Sequence, residues 1–144
     1  MVLAVLAGMA ALLCVGGLGI GFVLYDEATA PDRSAPDVAV DNYLRALLIE
    51  RSDAAASSYA CANRSELSSI ESLRADIVAR EQQHAISIRV SWGSLAVRET
   101  DGRTLVTTEI QRAVSDGSER DVQAWEFEVV DDDGWRVCRA EQVP

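Results

Sequence analysis

Cys61 and Cys138 are the side chains whose type and spacing point to a definite chemistry in this sequence of 144 residues. The third cysteine, Cys14, lies in an apolar segment, and one histidine without a C-x-x-C pair cannot supply a zinc cage. Two isolated cysteines in a domain outside the cytoplasm are typical of one disulfide bond, which is our prediction. The alternative is two unrelated buried thiols, because free cysteine is among the residue types that proteins bury most often.

Residues 131–134, with the sequence DDDG, have the composition of either a calcium loop or a tight turn. A helix–loop–helix calcium site needs oxygen ligands at alternate positions, but Trp135 stands where the third ligand belongs. We therefore predict a solvated hairpin turn, with Cys138 on the strand that follows it and no metal site.

The sequence offers no combination of residues suited to acid–base or nucleophilic catalysis. His84, the single histidine, falls at the expected end of a helix, where interaction with the helix dipole is its usual role. Asp41 and Tyr43 are two residues apart on one predicted helix, so they cannot share a face. Without a Ser/His/Asp set or a glycine-rich phosphate loop, we predict no catalytic residue, no cofactor and no enzyme activity.

Residues 2–25 form an apolar segment without charge or proline. Its length exceeds the roughly 20 residues that cross a hydrocarbon core as a helix, and the roughly 7 to 15 apolar residues of a signal peptide. We predict a transmembrane helix over residues 1–25 that anchors the chain in the lipid bilayer. Residues 28–30 (ATA) fit a signal-peptidase site, so cleavage is the alternative, but Pro31 would directly follow the cut.

Gly17 and Gly21 lie within this segment at the G-x-x-x-G spacing that brings two membrane helices into close contact. The pair is a candidate contact for a homodimer. Glycine is also common in membrane helices that do not associate, so a single-helix anchor is the alternative.

The 13 basic and 23 acidic residues all follow the apolar segment and give the chain a formal net charge of −10. This charge excludes nucleic acid as a partner, because binding to the phosphate backbone depends on Lys and Arg. Residues 26–35 are polar and contain a proline, which predicts a linker that holds a domain at residues 36–144 clear of the bilayer. The predicted disulfide places this domain outside the cytoplasm, so we expect a single-pass protein of the cell membrane.

The spacing of apolar residues predicts that the domain begins with helices. Residues 34–37 (SAPD) match a helix start with Ser34 as the N-cap, and this first helix runs to about Glu50. Asp53 is the predicted cap of a short second helix that ends near Cys61.

Residues 63–66 (NRSE) repeat the capping pattern and begin a third helix, which extends to about Gln83. Asn63 also heads a glycosylation sequon. We favour the capping role for Asn63, because the composition of the chain is typical of a bacterial protein.

From Ala85 onward apolar residues alternate, which predicts strands. The alternation changes parity near Gly93, as expected of a β-bulge that inserts one residue into the first strand. Asp-Gly pairs separate the later strands and favour hairpins, and hence an antiparallel meander. These strands are predicted at residues 103–115, 119–130 and 134–140.

Strict alternation in the last strand has a consequence for its two faces. If Cys138 faces the helices, Trp135 must face away, toward a second packed surface or a partner. The sequence leaves both arrangements open.

The order of these elements resembles the cone-shaped nuclear-transport-factor-2-like fold. The residues that carry the resemblance are VAVDNYLRALL at 38–48, Cys61 before the capped third helix, and GWRVC at 134–138. More narrowly, the chain resembles actinobacterial single-pass membrane proteins with an extracytoplasmic domain called lumazine-binding-like or DUF4878-like. The expected architecture is α+β, with an N-terminal transmembrane helix, then three helices packed on a four-stranded antiparallel meander.

The resemblance implies an apolar pocket between the sheet and the helices, but no particular reaction. The candidate pocket residues are Tyr43, Leu47, Trp92, Trp125 and Phe127, and the alternative is that they simply fill the core. We expect a non-enzymatic interaction or assembly module of the cell envelope with a protein partner. The alternative is a carrier of a small apolar ligand or lipid.

Overall fold

The structure is a computed structural model, and it describes residues 30–144. The predicted transmembrane helix, with Gly17 and Gly21, lies outside the described residues. Within them, no helix is both long and apolar enough to cross a membrane. Asp32–Pro144 is one compact unit, and its three helices and antiparallel sheet confirm the α+β class.

Three helices precede the sheet: α1 (Pro36–Leu44), α2 (Asp53–Ser57) and α3 (Ser68–His84). A π-helical turn, Arg45–Ile49, continues α1, and a 3₁₀ turn, Ser65–Leu67, leads into α3. The buried face of α1 and its π-helical turn is an apolar stripe of residues three and four apart. Its members are Val40, Tyr43, Leu44, Leu47 and Leu48.

All three helix starts differ from the prediction. Asn63 does not cap α3 or the 3₁₀ turn, because its Oδ1 accepts from the Ser65 N–H at 3.1 Å in the segment before them.

Ser34 does not cap α1, because Ala35 is the N-cap residue, and no side chain within residues 30–144 caps this helix. The Ser34 hydroxyl instead donates to Asp32 Oδ1 at 2.8 Å. The Asp32 carboxylate also accepts from the Ser34 N–H at 3.1 Å, so Ser34 belongs to a turn before the helix start. Ser52 caps α2 in place of Asp53, since its hydroxyl oxygen accepts from the Ala55 N–H at 3.2 Å.

The sheet contains five antiparallel strands: β1 (Ile88–Trp92), β2 (Ala96–Thr100), β3 (Arg103–Val114), β4 (Arg120–Asp131) and β5 (Trp135–Val143). β3 pairs with β4 and β4 with β5, as a meander requires, whereas β1 and β2 both pair with the other edge of β3. The sheet therefore follows the predicted strand order.

The predicted number of four strands is wrong, because the first strand is divided at the predicted bulge. Trp92 pairs with Ile110 and Ala96 with Thr107, so the edge advances by four residues while β3 advances by three. This difference confirms the one-residue insertion. It also places Val97 on the same face as Trp92 despite the odd spacing.

The two faces of the sheet differ in character. The inner face packs on the helices and is apolar, with buried residues that include Val106, Ile110, Phe127, Val129 and Ala140. The outer face carries cross-strand ion pairs, Arg98–Glu126 at 3.2 Å and Arg103–Glu128 at 3.4 Å. Solvated pairs of this kind contribute little stability, so the outer face is a polar surface.

Cys61 and Cys138 form the predicted disulfide, with Cα atoms 4.9 Å apart across a sequence separation of 77. The two segments are also joined through their backbones at this place, because Ala60 forms a parallel β-bridge with Val137. The Val137 N–H donates to the Tyr59 carbonyl at 2.8 Å, and its carbonyl accepts from the Cys61 N–H at 2.9 Å. The segment that leads to α3 is therefore fixed to β5.

A second bulge removes the expected conflict between Cys138 and Trp135. The register of β4 with β5 shifts between Glu128 and Val129, and Cys138 is the residue without a pairing partner. Trp135 packs against the hydrophobic core, in which Val137, two residues along the strand, is also buried. The bulge after Val137 ends strict alternation before Cys138. Trp135 therefore faces the core, a choice that the sequence left open.

The end of the predicted linker contacts the domain at the turn before β5. The Arg33 carbonyl accepts from the Trp135 N–H at 3.0 Å, and the Asn42 amide donates to the Asp32 carbonyl at 3.1 Å. Gly134 has a φ of +97°, and a Cβ there would lie 3.1 Å from Arg33 Cβ. Glycine is required at this position both by the backbone and by the packed Arg33 side chain.

Removing the disulfide by Cys61→Ser/Cys138→Ser should lower the free energy of unfolding by up to about 4.5 kcal/mol, because the bridge closes a long loop of the unfolded chain. Urea denaturation of both proteins without reductant measures the difference. Reductant should weaken the wild type to the level of the variant and leave the variant unchanged. A loss below about 1 kcal/mol would contradict the stabilising role.

Candidate functional site

A groove of about 660 Å³ lies between α3 and the inner face of the sheet. The helix contributes residues three and four apart, which places them on one helix face. The sheet contributes polar residues from β3, β4 and β5 and one tryptophan. The lining residues are Ser69, Ser72, Leu73, Asp76, Arg112, Gln123, Trp125, Glu141 and Gln142.

The floor of the groove follows from strand alternation. Gln123 and Trp125 are two residues apart on β4, so both side chains point to the inner face. Gln142 on β5 pairs directly with Trp125, and Ile110 on β3 pairs with Gln123. The floor is therefore a strip of side chains that crosses from β3 to β5.

Arg112 marks one end of the groove. It pairs with Asp121 on the neighbouring strand, and its side chain is only 14% exposed. Its guanidinium also reaches Asp76 on α3 at 3.1 Å, so it links the helix to the sheet. Because two carboxylates share one guanidinium, Arg112 has no uncompensated positive charge to offer a ligand.

The C-terminal half of α3 is fixed by further polar contacts. Arg80 pairs with Glu119 in the turn before β4 at 2.9 Å. Glu81 pairs with Arg51 at 2.8 Å and accepts from the Ile88 N–H at 2.8 Å. The hydrogen bond from Arg51 is the main reason that the pKa of the Glu81 carboxyl lies below its ordinary value. These contacts set the width of the groove.

The tryptophan of the groove has an unpaired polar group among residues 30–144. The Trp125 side chain is buried, with the residue 2% exposed, and its indole N–H finds no acceptor within residues 30–144. By contrast, the Trp92 indole N–H donates to Asp41 Oδ1 at 2.7 Å. A buried donor without an acceptor costs free energy, so Trp125 is an exception among buried polar groups.

The residues predicted to line a pocket are not brought together around the groove. Tyr43, Leu47 and Phe127 are fully buried in the hydrophobic core, and Trp92 is half-buried against it. Of the five, only Trp125 borders the groove. The groove is more polar than the apolar pocket that the family resemblance implied.

The remaining residues singled out in the sequence have structural contacts. The Asp131 carboxylate accepts from the Gly134 N–H at 3.2 Å, which closes the predicted turn. In the described part of the chain, no group of three or more His, Cys, Asp or Glu side chains is placed to hold a metal ion. His84 ends α3 and is exposed, away from the residues that line the groove.

Sequence reasoning missed Arg112, Gln123 and Gln142. Each lies at an inward-facing position of its strand, among apolar neighbours of the same parity. A polar residue at a core-facing position of an alternating strand is the signal that was available. The wall residues of α3 carried no such signal, because serine on an exposed helix face is common.

No family model, no curated protein and no solved structure matches this chain. The interpretation of the groove therefore rests on its own geometry.

Tyr43 is the most perturbed acid among the described residues, although it lines no part of the groove. Burial raises the pKa of its phenol above the ordinary value of 10.0, and the negative charge of Glu71 adds to the shift. Its hydroxyl has no hydrogen-bond partner within residues 30–144. A phenol that stays protonated inside the core is a packing residue here.

Tyr43→Phe should leave stability unchanged or slightly higher at neutral pH, because it removes an unpaired buried hydroxyl. In the wild type, the stability contributed by the protonated phenol is complete below pH 10.0 and is lost as pH rises above it. We expect a loss of about 1.4 kcal/mol per pH unit that Tyr43→Phe lacks.

Urea denaturation between about pH 9 and about pH 11 measures this difference. Tyr59→Phe, which keeps Tyr43, is the matched control and should lose stability as the wild type does. Equal alkaline losses in the wild type and Tyr43→Phe would contradict the burial of a neutral phenol.

Proposed function

We propose that this chain is a membrane-anchored, extracytoplasmic interaction or assembly module of the cell envelope, without enzyme activity, and that the groove is its contact site. The observation that carries the proposal is the open groove itself, with Gln123 and Gln142 on its floor free of side-chain hydrogen bonds within residues 30–144, beside a fixed helix. Such a surface is suited to hydrogen bonding with a partner.

The electrostatics of the groove favour binding over chemistry. Arg112 is held between Asp76 and Asp121, so its charge serves to link α3 to the sheet. An acid or base suited to catalysis is tuned by burial and points into the site, but the buried acid Tyr43 lies in the core. This arrangement supports a module that binds without reacting.

The disulfide supports a location outside the cytoplasm. Disulfides persist in oxidising compartments and are rare in the cytosol, where thiols are kept reduced. The apolar segment at residues 2–25 is long enough for a membrane anchor. Together with the nuclear-transport-factor-2-like order of elements, these features support a single-pass protein related to the actinobacterial membrane proteins that carry such a domain.

The groove is favoured over an apolar carrier pocket as the contact site. A carrier needs empty apolar space, but Tyr43, Leu47 and Phe127 occupy the centre of the core with 0% exposure. The outer face of the sheet is a weaker contact surface, because ion pairs such as Arg98–Glu126 cover it. Its exposed valines, Val122 and Val130, lie at opposite ends of β4.

Fractionation of the host should recover the full chain with the membrane, and protease added to intact spheroplasts should digest residues 30–144. A variant that begins at residue 26 should leave the membrane fraction, because it lacks the apolar segment. A cytoplasmic protein of known location is the control for spheroplast integrity. Complete protection of the domain in intact spheroplasts would overturn the proposed orientation.

A photocrosslinking amino acid in place of Ser72, on the groove wall, should capture a discrete envelope partner in intact cells. The same amino acid in place of Val122, which is 48% exposed on the outer face, is the matched control and should not. Identification of the crosslinked peptide by mass spectrometry gives the partner. Capture at Val122 but not at Ser72 would move the contact site to the outer face.

A further inference from the structure

The shape of the groove suits a linear ligand. Its wall runs from Ser69 to Asp76 along one face of α3, a rise of roughly 10 Å. Its floor runs from the Arg112–Asp121 pair to Trp125, four residues along β4 and so roughly 13 Å. Four residues of an extended peptide, at about 3.3 Å each, have this length.

The two glutamines supply matching hydrogen bonds. Gln142 pairs with Trp125, so it is the diagonal neighbour of Gln123 on the same face. Such neighbours lie roughly 7 to 8 Å apart. Peptide groups that face the same side of an extended chain recur about every 6.6 Å, because the pleat repeats every two residues.

A carboxamide is the side-chain group best matched to a peptide unit, because both groups contain an N–H donor and a carbonyl acceptor. Within the described residues, neither Gln123 nor Gln142 forms a side-chain hydrogen bond with the rest of the protein. The floor therefore has donors and acceptors for an extended backbone.

The charges around the groove restrict the sequence of such a peptide. Asp76 and Glu141 stand at the rim with their side chains 54% and 49% exposed, and Glu141 is paired with Arg139. Arg112 is already shared by two carboxylates. A peptide with acidic side chains would meet net negative charge, whereas neutral or basic side chains would not.

We propose that the groove binds an extended peptide segment of about four residues with neutral or basic side chains, through backbone hydrogen bonds to Gln123 and Gln142. This inference rests on the proposed function, in which the groove is the contact site. The peptide is a segment of the partner protein. A saccharide fits less well, because carbohydrate binding uses exposed aromatic faces and Trp125 is only 2% exposed.

The test uses the full chain in lipid nanodiscs and a phage library of random octapeptides. Selected sequences are then synthesised, and their affinity is measured by fluorescence anisotropy. Gln123→Leu/Gln142→Leu keeps side-chain size and removes both carboxamides, so binding should weaken roughly 30-fold. Gln82→Leu/Gln83→Leu, which changes two exposed glutamines at the end of α3, is the matched control and should bind like the wild type.

Methylation of single backbone nitrogens in the peptide tests whether the backbone is recognised. This experiment uses the wild-type protein, so it does not depend on the folding of a variant. We expect one or two positions at which methylation abolishes binding, and a selected consensus without acidic residues. If the leucine variant fails to fold, Gln123→Glu/Gln142→Glu removes the donors while keeping the shape and should weaken binding as well.

Three outcomes would overturn the inference: no selected peptide, peptides that bind the groove variant as tightly as the wild type, or an acidic consensus. Binding of chito-oligosaccharides in the same groove, without peptide binding, would assign the site to a saccharide. In each of these cases, capture of a partner through Ser72 in cells would leave the proposed function standing. If no peptide binds the groove and no partner is captured through Ser72, the proposed function is wrong as well.

Discussion

The fold depends on the junction between residues 59–61 and β5. Two backbone hydrogen bonds and the Cys61–Cys138 disulfide meet there, on a strand that is otherwise paired with β4 alone. Without the disulfide, the unfolded chain would have to close a loop across 77 positions to form this contact. The disulfide removes the entropic cost of closing that loop. For a domain of this size, that contribution is comparable with its whole net stability.

The groove follows from the same junction. Just after Cys61, the 3₁₀ turn and the start of α3 are placed against β5, and Glu66 pairs with Arg139 on that strand at 3.7 Å. The other end of α3 is held by Arg80 and its partner Glu119 in the turn before β4. A helix fixed at both ends and packed through Leu73 keeps a constant distance from the sheet. The polar side chains between the two anchors remain available for a ligand.

Much of the architecture was predictable from local patterns, because each pattern has one physical cause. The Asp-Gly pairs give tight hairpins, and the change of parity at Gly93 reflects one inserted residue. The bulge at Cys138 left no such trace, because its neighbours Trp135 and Val137 fit an unbroken strand equally well. The groove was not predicted, since aromatic residues suggested a pocket while Arg112 and Gln123, at core-facing positions, were overlooked.

Hydrogen exchange at the Val137 and Cys61 amides, compared between the oxidised protein and the protein after selective reduction, tests the junction most directly. We predict that both amides exchange only through global unfolding in the oxidised protein. After reduction, residues 53–67 should lose protection before the β3–β4 hairpin does, because the covalent link to β5 has gone. Unchanged protection of residues 53–67 after reduction would contradict the central role of the bridge.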